Sequence, residues 1–189
     1  MSAFEFFFGF FSLIMGLAVA TVASGLADVL RARTVTPIGW LTPLLGLLIL
    51  LDISTFWVNG WNGLQDIQID YASIYTGLLI SLVYFLAAAM VFPKDASEWA
   101  SLDDYYDGHK RLVIGGVLFS NTLGLASRLV LGDQLAGFDP IRIVLLTLFF
   151  GLLIALLFIR NRRINVGLLA LHCVVNLAPA FLIRPDGTA

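Results

Sequence analysis

A single cysteine among 189 residues leaves Cys173 with no partner in its own chain, which excludes an internal disulfide and any all-cysteine metal site. Charge is also scarce. Asp, Glu, Lys and Arg make up 13% of the chain, against roughly 25% in a soluble domain. A chain with so little charge cannot cover itself with a polar surface in water. Its formal net charge of -2 lacks the basic excess that nucleic-acid binding requires, so nucleic acid is excluded as a partner class. Catalytic signatures are missing too: there is no glycine-rich phosphate loop, no Gly-x-Ser-x-Gly elbow and no His-Glu-x-x-His pair. The two histidines, His109 and His172, fall at different depths, which argues against bis-histidine haem ligation within one chain. A haem on His172 alone, or shared between subunits, stays open, but no cofactor is implied. The chain reads as a non-enzymatic protein.

What the chain has in abundance is apolar length. Hydrophobic residues make up 59% of it, and residues 6–27, 71–92 and 164–183 are charge-free runs. About 20 apolar residues suffice to cross a bilayer core as a helix. Residues 38–61 form a fourth run broken only by Asp52, residues 112–132 a fifth containing Arg128, and 143–159 a shorter sixth that can extend through Ile141 and Arg142. The runs do not alternate with period two, so a barrel is disfavoured. The expected fold is an all-α integral membrane protein, a single six-helix bundle with spans near 5–30, 37–60, 71–92, 111–132, 141–160 and 164–183. The start, Met-Ser-Ala-Phe-Glu-Phe, has no positive n-region, so the first run is expected to be a retained helix rather than a cleaved signal.

Basic residues are retained on the cytoplasmic side of a membrane. Six spans place Arg31, Arg33, Lys94, Lys110, Arg111, Arg160, Arg162 and Arg163 at one end, leaving Arg128, Arg142 and Arg184 at the other. This predicts both termini outside the cell and suits a bacterial cytoplasmic membrane. Trp57, Trp61, Tyr71 and Tyr75 then collect at the outer interface, and Trp40 and Trp99 near the inner one.

Small residues let helix backbones approach closely in lipid, where apolar surface alone gives little drive to associate. The first span carries Ser12, Gly16, Ala20 and Ser24 on one face, the third Ser73, Gly77 and Ser81, the fourth Gly116, Ser120 and Gly124, and the fifth Thr147, Gly151 and Ala155. These ladders predict a tight bundle, with one left over for a membrane-protein partner or a second copy. Spans one to three end at Phe92-Pro93 and spans four to six at Arg184-Pro185, which raises a 3+3 inverted repeat of the kind found in transporters.

Polar groups inside the membrane are candidates for function. His172 and Asn176 share a face at mid-span, while Ser120 and Asn121 fall near the midplane of the fourth span. Together they form either a solute or proton site or an interhelical bond between spans four and six. Asp52 is a cation or proton site if it faces a wet cavity, or else a pair with Arg128. Pro43 and Pro179 are expected to kink their spans. Residues 96–107 read as an interfacial helix with Trp99, Leu102 and Tyr106 toward the bilayer. Its Asp103, Asp104 and Asp107, with His109, are a solvated face, a contact for a basic partner or a cation site. Two functions from different classes remain: an accessory or scaffold subunit of a larger membrane assembly, or a small-solute or ion transporter built around His172, Asn176, Asn121 and Asp52.

Overall fold

The computed structural model describes residues 3–34, 36–63, 70–130 and 140–182. Six long helices account for nearly all of them: α1 (Ala3–Arg31), α2 (Leu41–Gly63), α3 (Tyr71–Ala89), α4 (Leu102–Val130), α5 (Pro140–Phe158) and α6 (Arg162–Leu182). Each is long and apolar enough to cross a membrane. The predicted ends at 131–132 and 183, and Arg184, lie outside the described residues. Leu13, Val58, Leu86, Leu112, Val144, Phe158 and Phe181 stand on the outer surface, far more exposed aliphatic and aromatic area than a water-soluble chain tolerates.

Local chemistry fixes the helix ends. The Asp70 side chain accepts from the Ser73 backbone N–H at 2.8 Å and so caps α3. Asn161 does the same for α6, accepting from the N–H of Arg163 at 3.0 Å. The start of α2 is capped from a distance, since the Leu41 N–H donates to Asp103 at 3.4 Å. Gly39 just before it adopts a φ of 64°, and Asp103 occupies the space a Cβ would need. Pro43 lies in the first turn of α2, where a missing N–H costs nothing. The kink expected there has no cause. Pro179 lies within α6.

The expected interfacial helix 96–107 is not a separate element. A short 3-10 turn, Ala96–Glu98, precedes Leu102, and from there α4 runs unbroken for 29 residues. At 1.5 Å per residue that is about 43 Å, longer than the roughly 30 Å hydrocarbon core of a bilayer. Its first third is polar and its apolar part begins near Leu112. Leu102 and Tyr106 are buried in the protein core instead of lying on lipid, because Leu102 is tied into the bundle. Its N–H donates to the Pro37 carbonyl at 3.1 Å, and its own carbonyl accepts from the Thr42 hydroxyl at 2.8 Å.

The connections after α1, α3 and α5 meet at one end of the bundle. Thr36 donates to the Ala96 carbonyl at 2.9 Å, and Arg162 at the start of α6 reaches Asp104 and Asp107 of α4. The buried Lys110 ammonium donates to the Ile159 carbonyl just past α5, where a cation complements the helix dipole. Residues 31–33 and 160–163 thus share an end. The other end is held by rings: Phe8 lies 5.2 Å from Trp61 and 6.1 Å from Trp57, and Phe4 lies 5.3 Å from Trp61.

Helix packing does not follow an inverted repeat. The closest partners are α1 with α3, α3 with α4, and α2 with α6. A two-fold relating the halves would map α1–α3 onto α4–α6, yet among the described residues α4 and α6 barely meet. The ladders divide as well. Gly77 backs onto the Phe7 ring, Gly116 onto Ala87 and Val83, and Gly124 onto Phe56. Gly16 and Gly151 meet nothing, and Ala20, Ser24 and Thr147 are exposed beside them. Gly77, Gly116 and Gly124 build the bundle, whereas Gly16, Ala20 and Ser24 of α1 and Thr147 and Gly151 of α5 face out of it.

Candidate functional site

The most closed polar site joins α2, α3 and α4. Asp52 falls on the inner face of α2, in register with the buried Leu45, Leu48 and Ile49, so the helix has no way to turn it outward without exposing that face to its neighbours. Only 1% of Asp52 is exposed. Tyr84, fully buried on α3, donates its hydroxyl to Asp52 Oδ2 at 2.8 Å. From α4, the Asn121 amide donates to the same oxygen at 3.0 Å and lies 2.7 Å from the Tyr84 hydroxyl. Its third contact is the Val117 carbonyl at 3.0 Å. The carboxyl therefore has two neutral hydrogen-bond donors from two other helices. Phe56 stacks edge-on against Tyr84 at 5.4 Å and closes the site on one side.

This corrects the expected pairing. Arg128 lies against the backbone at Gly63, at the far end of α2 from the carboxyl. Eleven residues of helix separate Gly63 from Asp52, about 16 Å. Ser120 turns away to the Ile80 carbonyl, at 3.4 Å, and belongs to the α3–α4 contact.

His172 and Asn176 form a second cluster, distinct from Asn121. The Asn176 amide donates to His172 Nδ1 at 2.9 Å and to the His172 carbonyl at 3.2 Å, a pairing one turn apart on α6. An accepting Nδ1 places the neutral imidazole proton on Nε2. That N–H and Asn176 Oδ1 are buried without a hydrogen-bond partner among the described residues. The Phe149 ring of α5 packs on the imidazole with centroids 4.8 Å apart. Three residues before Pro179, the Thr55 hydroxyl of α2 reaches the Asn176 carbonyl at 3.5 Å. Among the described residues the expected bond from Asn121 to His172 or Asn176 does not form: Asn121 sends its amide to α2 and α3, and the His172 and Asn176 side chains bond to each other.

The acidic residues of α4 also have specific partners. Asp103 caps α2, while Asp104 and Asp107 share Arg162, whose Nε lies 2.7 Å from Asp107. Arg162 and Ser101 beside Asp104 hold its carboxyl below the usual carboxylate range, and the two carboxylates raise the guanidinium further. His109 stacks on Tyr105 at 4.1 Å and donates from Nδ1 to the Tyr105 carbonyl. Among the described residues no group of three His, Cys, Asp or Glu side chains could hold a metal ion.

Of the packing residues, Ser81 donates to the Gly77 carbonyl at 2.9 Å and Ser73 to Asp70 at 2.7 Å. The Ser12 hydroxyl is buried without a partner among the described residues. Sequence reasoning missed Tyr84, the central donor to Asp52, and Lys110. A tyrosine within an apolar run looks like packing. The available signal was Asp52 itself, since a carboxyl at that depth requires a donor from a neighbouring helix. No protein-family model, curated protein or solved structure matches the chain.

Proposed function

We propose that the chain is a non-enzymatic accessory or scaffold subunit that associates within the membrane with a larger assembly. The observation that carries this reading is the outward face of α1. Gly16 has open space above it, and Ala20 and Ser24 continue the same exposed stripe. Lipid tails gain little from a shallow helix surface, whereas another helix packs closely against it. The Asp52, Tyr84 and Asn121 side chains are engaged with one another inside the bundle, which leaves fewer groups to coordinate a solute. A photoreactive amino acid at position 20, activated in native membranes, is expected to give one discrete crosslinked product, and Gly16→Leu is expected to abolish it. A product twice the chain's mass identifies a second copy, and labelling of lipid alone defeats the reading.

A proton-coupled transporter is the second reading, favoured by a carboxyl held among neutral donors at that depth. Proteoliposomes loaded with a pH-sensitive dye test it: proton movement abolished by Asp52→Asn supports transport, and equal traces for both proteins dismiss it. We place the arginine-rich end in the cytoplasm of a bacterial cell. Single cysteines introduced at positions 33 and 161 in a Cys173→Ser background should resist membrane-impermeant labelling in intact cells.

A further inference from the structure

We propose that the connection between α3 and α4 binds the headgroup of phosphatidylethanolamine. A hollow of about 400 Å³ opens there, with Ala89, Met90 and Phe92 as an apolar floor and Lys94, Glu98 and Trp99 on its rim. It lies where α3 ends, at the level at which an embedded helix leaves hydrocarbon for headgroups, so the proposal rests on lipid being the solvent of this chain. Lys94 and Glu98 are exposed and hold no hydrogen bond among the described residues. Asp95 adds a second carboxylate to the rim, with Oδ1 engaged by the Ser97 N–H and hydroxyl.

One cation beside two carboxylates complements a headgroup that carries both a phosphate and an ammonium. Lys94 takes the phosphate, and Glu98 and the remaining oxygen of Asp95 take the ammonium. The rim sums to one negative charge, which disfavours an anionic lipid; Arg111, Arg160 and Arg163 at the same end offer that lipid a better place. The choice between a primary and a quaternary ammonium follows from the rings. A quaternary group needs an aromatic cage, but Tyr105 is already covered by His109 and spends its hydroxyl on the Met90 carbonyl at 3.0 Å. Phe92 is buried in the core and Trp99 packs edge-on against Tyr105 and His109, so these rings form no cage, whereas two carboxylates accept the N–H donors that a primary ammonium has and choline lacks.

The test is native mass spectrometry of the detergent-solubilised protein with equimolar phosphatidylethanolamine, phosphatidylcholine and phosphatidylglycerol. Ethanolamine lipid is expected to be retained preferentially. Glu98→Gln is expected to reduce that retention about fivefold, the scale of one charge-assisted hydrogen bond at a wet interface, and Lys94→Gln similarly. Both positions are exposed, and an unchanged melting temperature verifies that the fold persists. Equal retention of the three lipids, or retention unaffected by both substitutions, overturns the proposal. A protein that stays dissolved without detergent would instead overturn the membrane reading itself.

Discussion

The two buried polar clusters both touch α2 yet differ in kind. Asp52, Tyr84 and Asn121 come from three helices and bond to one another across the interfaces between them. His172 and Asn176 come from one helix, and their bond would persist if α6 stood alone. A polar group in lipid therefore need not hold helices together; only one whose partners lie on other helices does so. Measured interhelical hydrogen bonds in membranes average about 0.6 kcal/mol because polar groups find substitutes in the separated state. Asp52 has few substitutes, since the Ser54 hydroxyl bonds back to the Leu50 carbonyl and Thr55 reaches toward α6.

This contrast predicts unequal responses to substitution. The largest effect is expected for Tyr84→Phe, which takes one of two donors from a buried carboxyl. A loss of about 1–3 kcal/mol is expected, read from unfolding in a mild detergent, and Asp52→Asn in the same background should recover part of it. A Tyr84→Phe protein as stable as the parent would erase the distinction between the clusters.

The glycines provide a second contrast of nearly the same size. Gly25→Ala places a methyl within 2.9 Å of the Phe92 Cβ, which cannot swing away as a ring tip can. A loss of about 1–3 kcal/mol from overpacking is expected. Gly16→Ala meets nothing and should be neutral or stabilising by up to about 1 kcal/mol through helix propensity.

Asn176→Leu is expected to shift stability by less than about 1 kcal/mol in either direction, because it loses a local bond but also removes an oxygen that has no partner among the described residues. The smallest effect concerns the arginine-rich end. Arg162 and Ser101 depress the Asp104 carboxyl, so their contribution is complete above the ordinary aspartate range. It fades as pH falls through the lowered value. Asp104→Asn should therefore be slightly less stable than the parent at pH 7 and converge with it in acid, as followed by melting temperature against pH.

The helices were legible in the sequence because span length and charge exclusion are local properties, and the described ends fall within a few residues of those expected except at α4. There the apolar face formed by Leu102 and Tyr106 was correctly recognised, but periodicity cannot say whether such a face meets lipid or protein. The small-residue ladders had the same ambiguity: Gly77 and Gly16 look alike in sequence, and only the Phe7 ring opposite Gly77 separates them. The polar residues themselves were found by depth, while their partners depended on which helices neighbour α2. Asp52 was expected to seek the opposite charge on Arg128 but is bonded to neutral donors, because helix order around the bundle, and not charge, decides what lies within 3 Å.

The capping of α2 also bears on how the chain is made. Asp103, which completes the first turn of that helix, lies 62 residues further along the chain, and Asn121, which completes the bonding of Asp52, lies 69 residues beyond it. While α2 emerges from the ribosome, neither has been synthesised. Until the fourth segment arrives, the second lacks its leading cap, and Asp52 has the Tyr84 hydroxyl of α3 but not the Asn121 amide. Completion of the α2 contacts therefore waits on the translation of α4, and a chain cut short before residue 121 is expected to hold α2 less firmly than the full chain does.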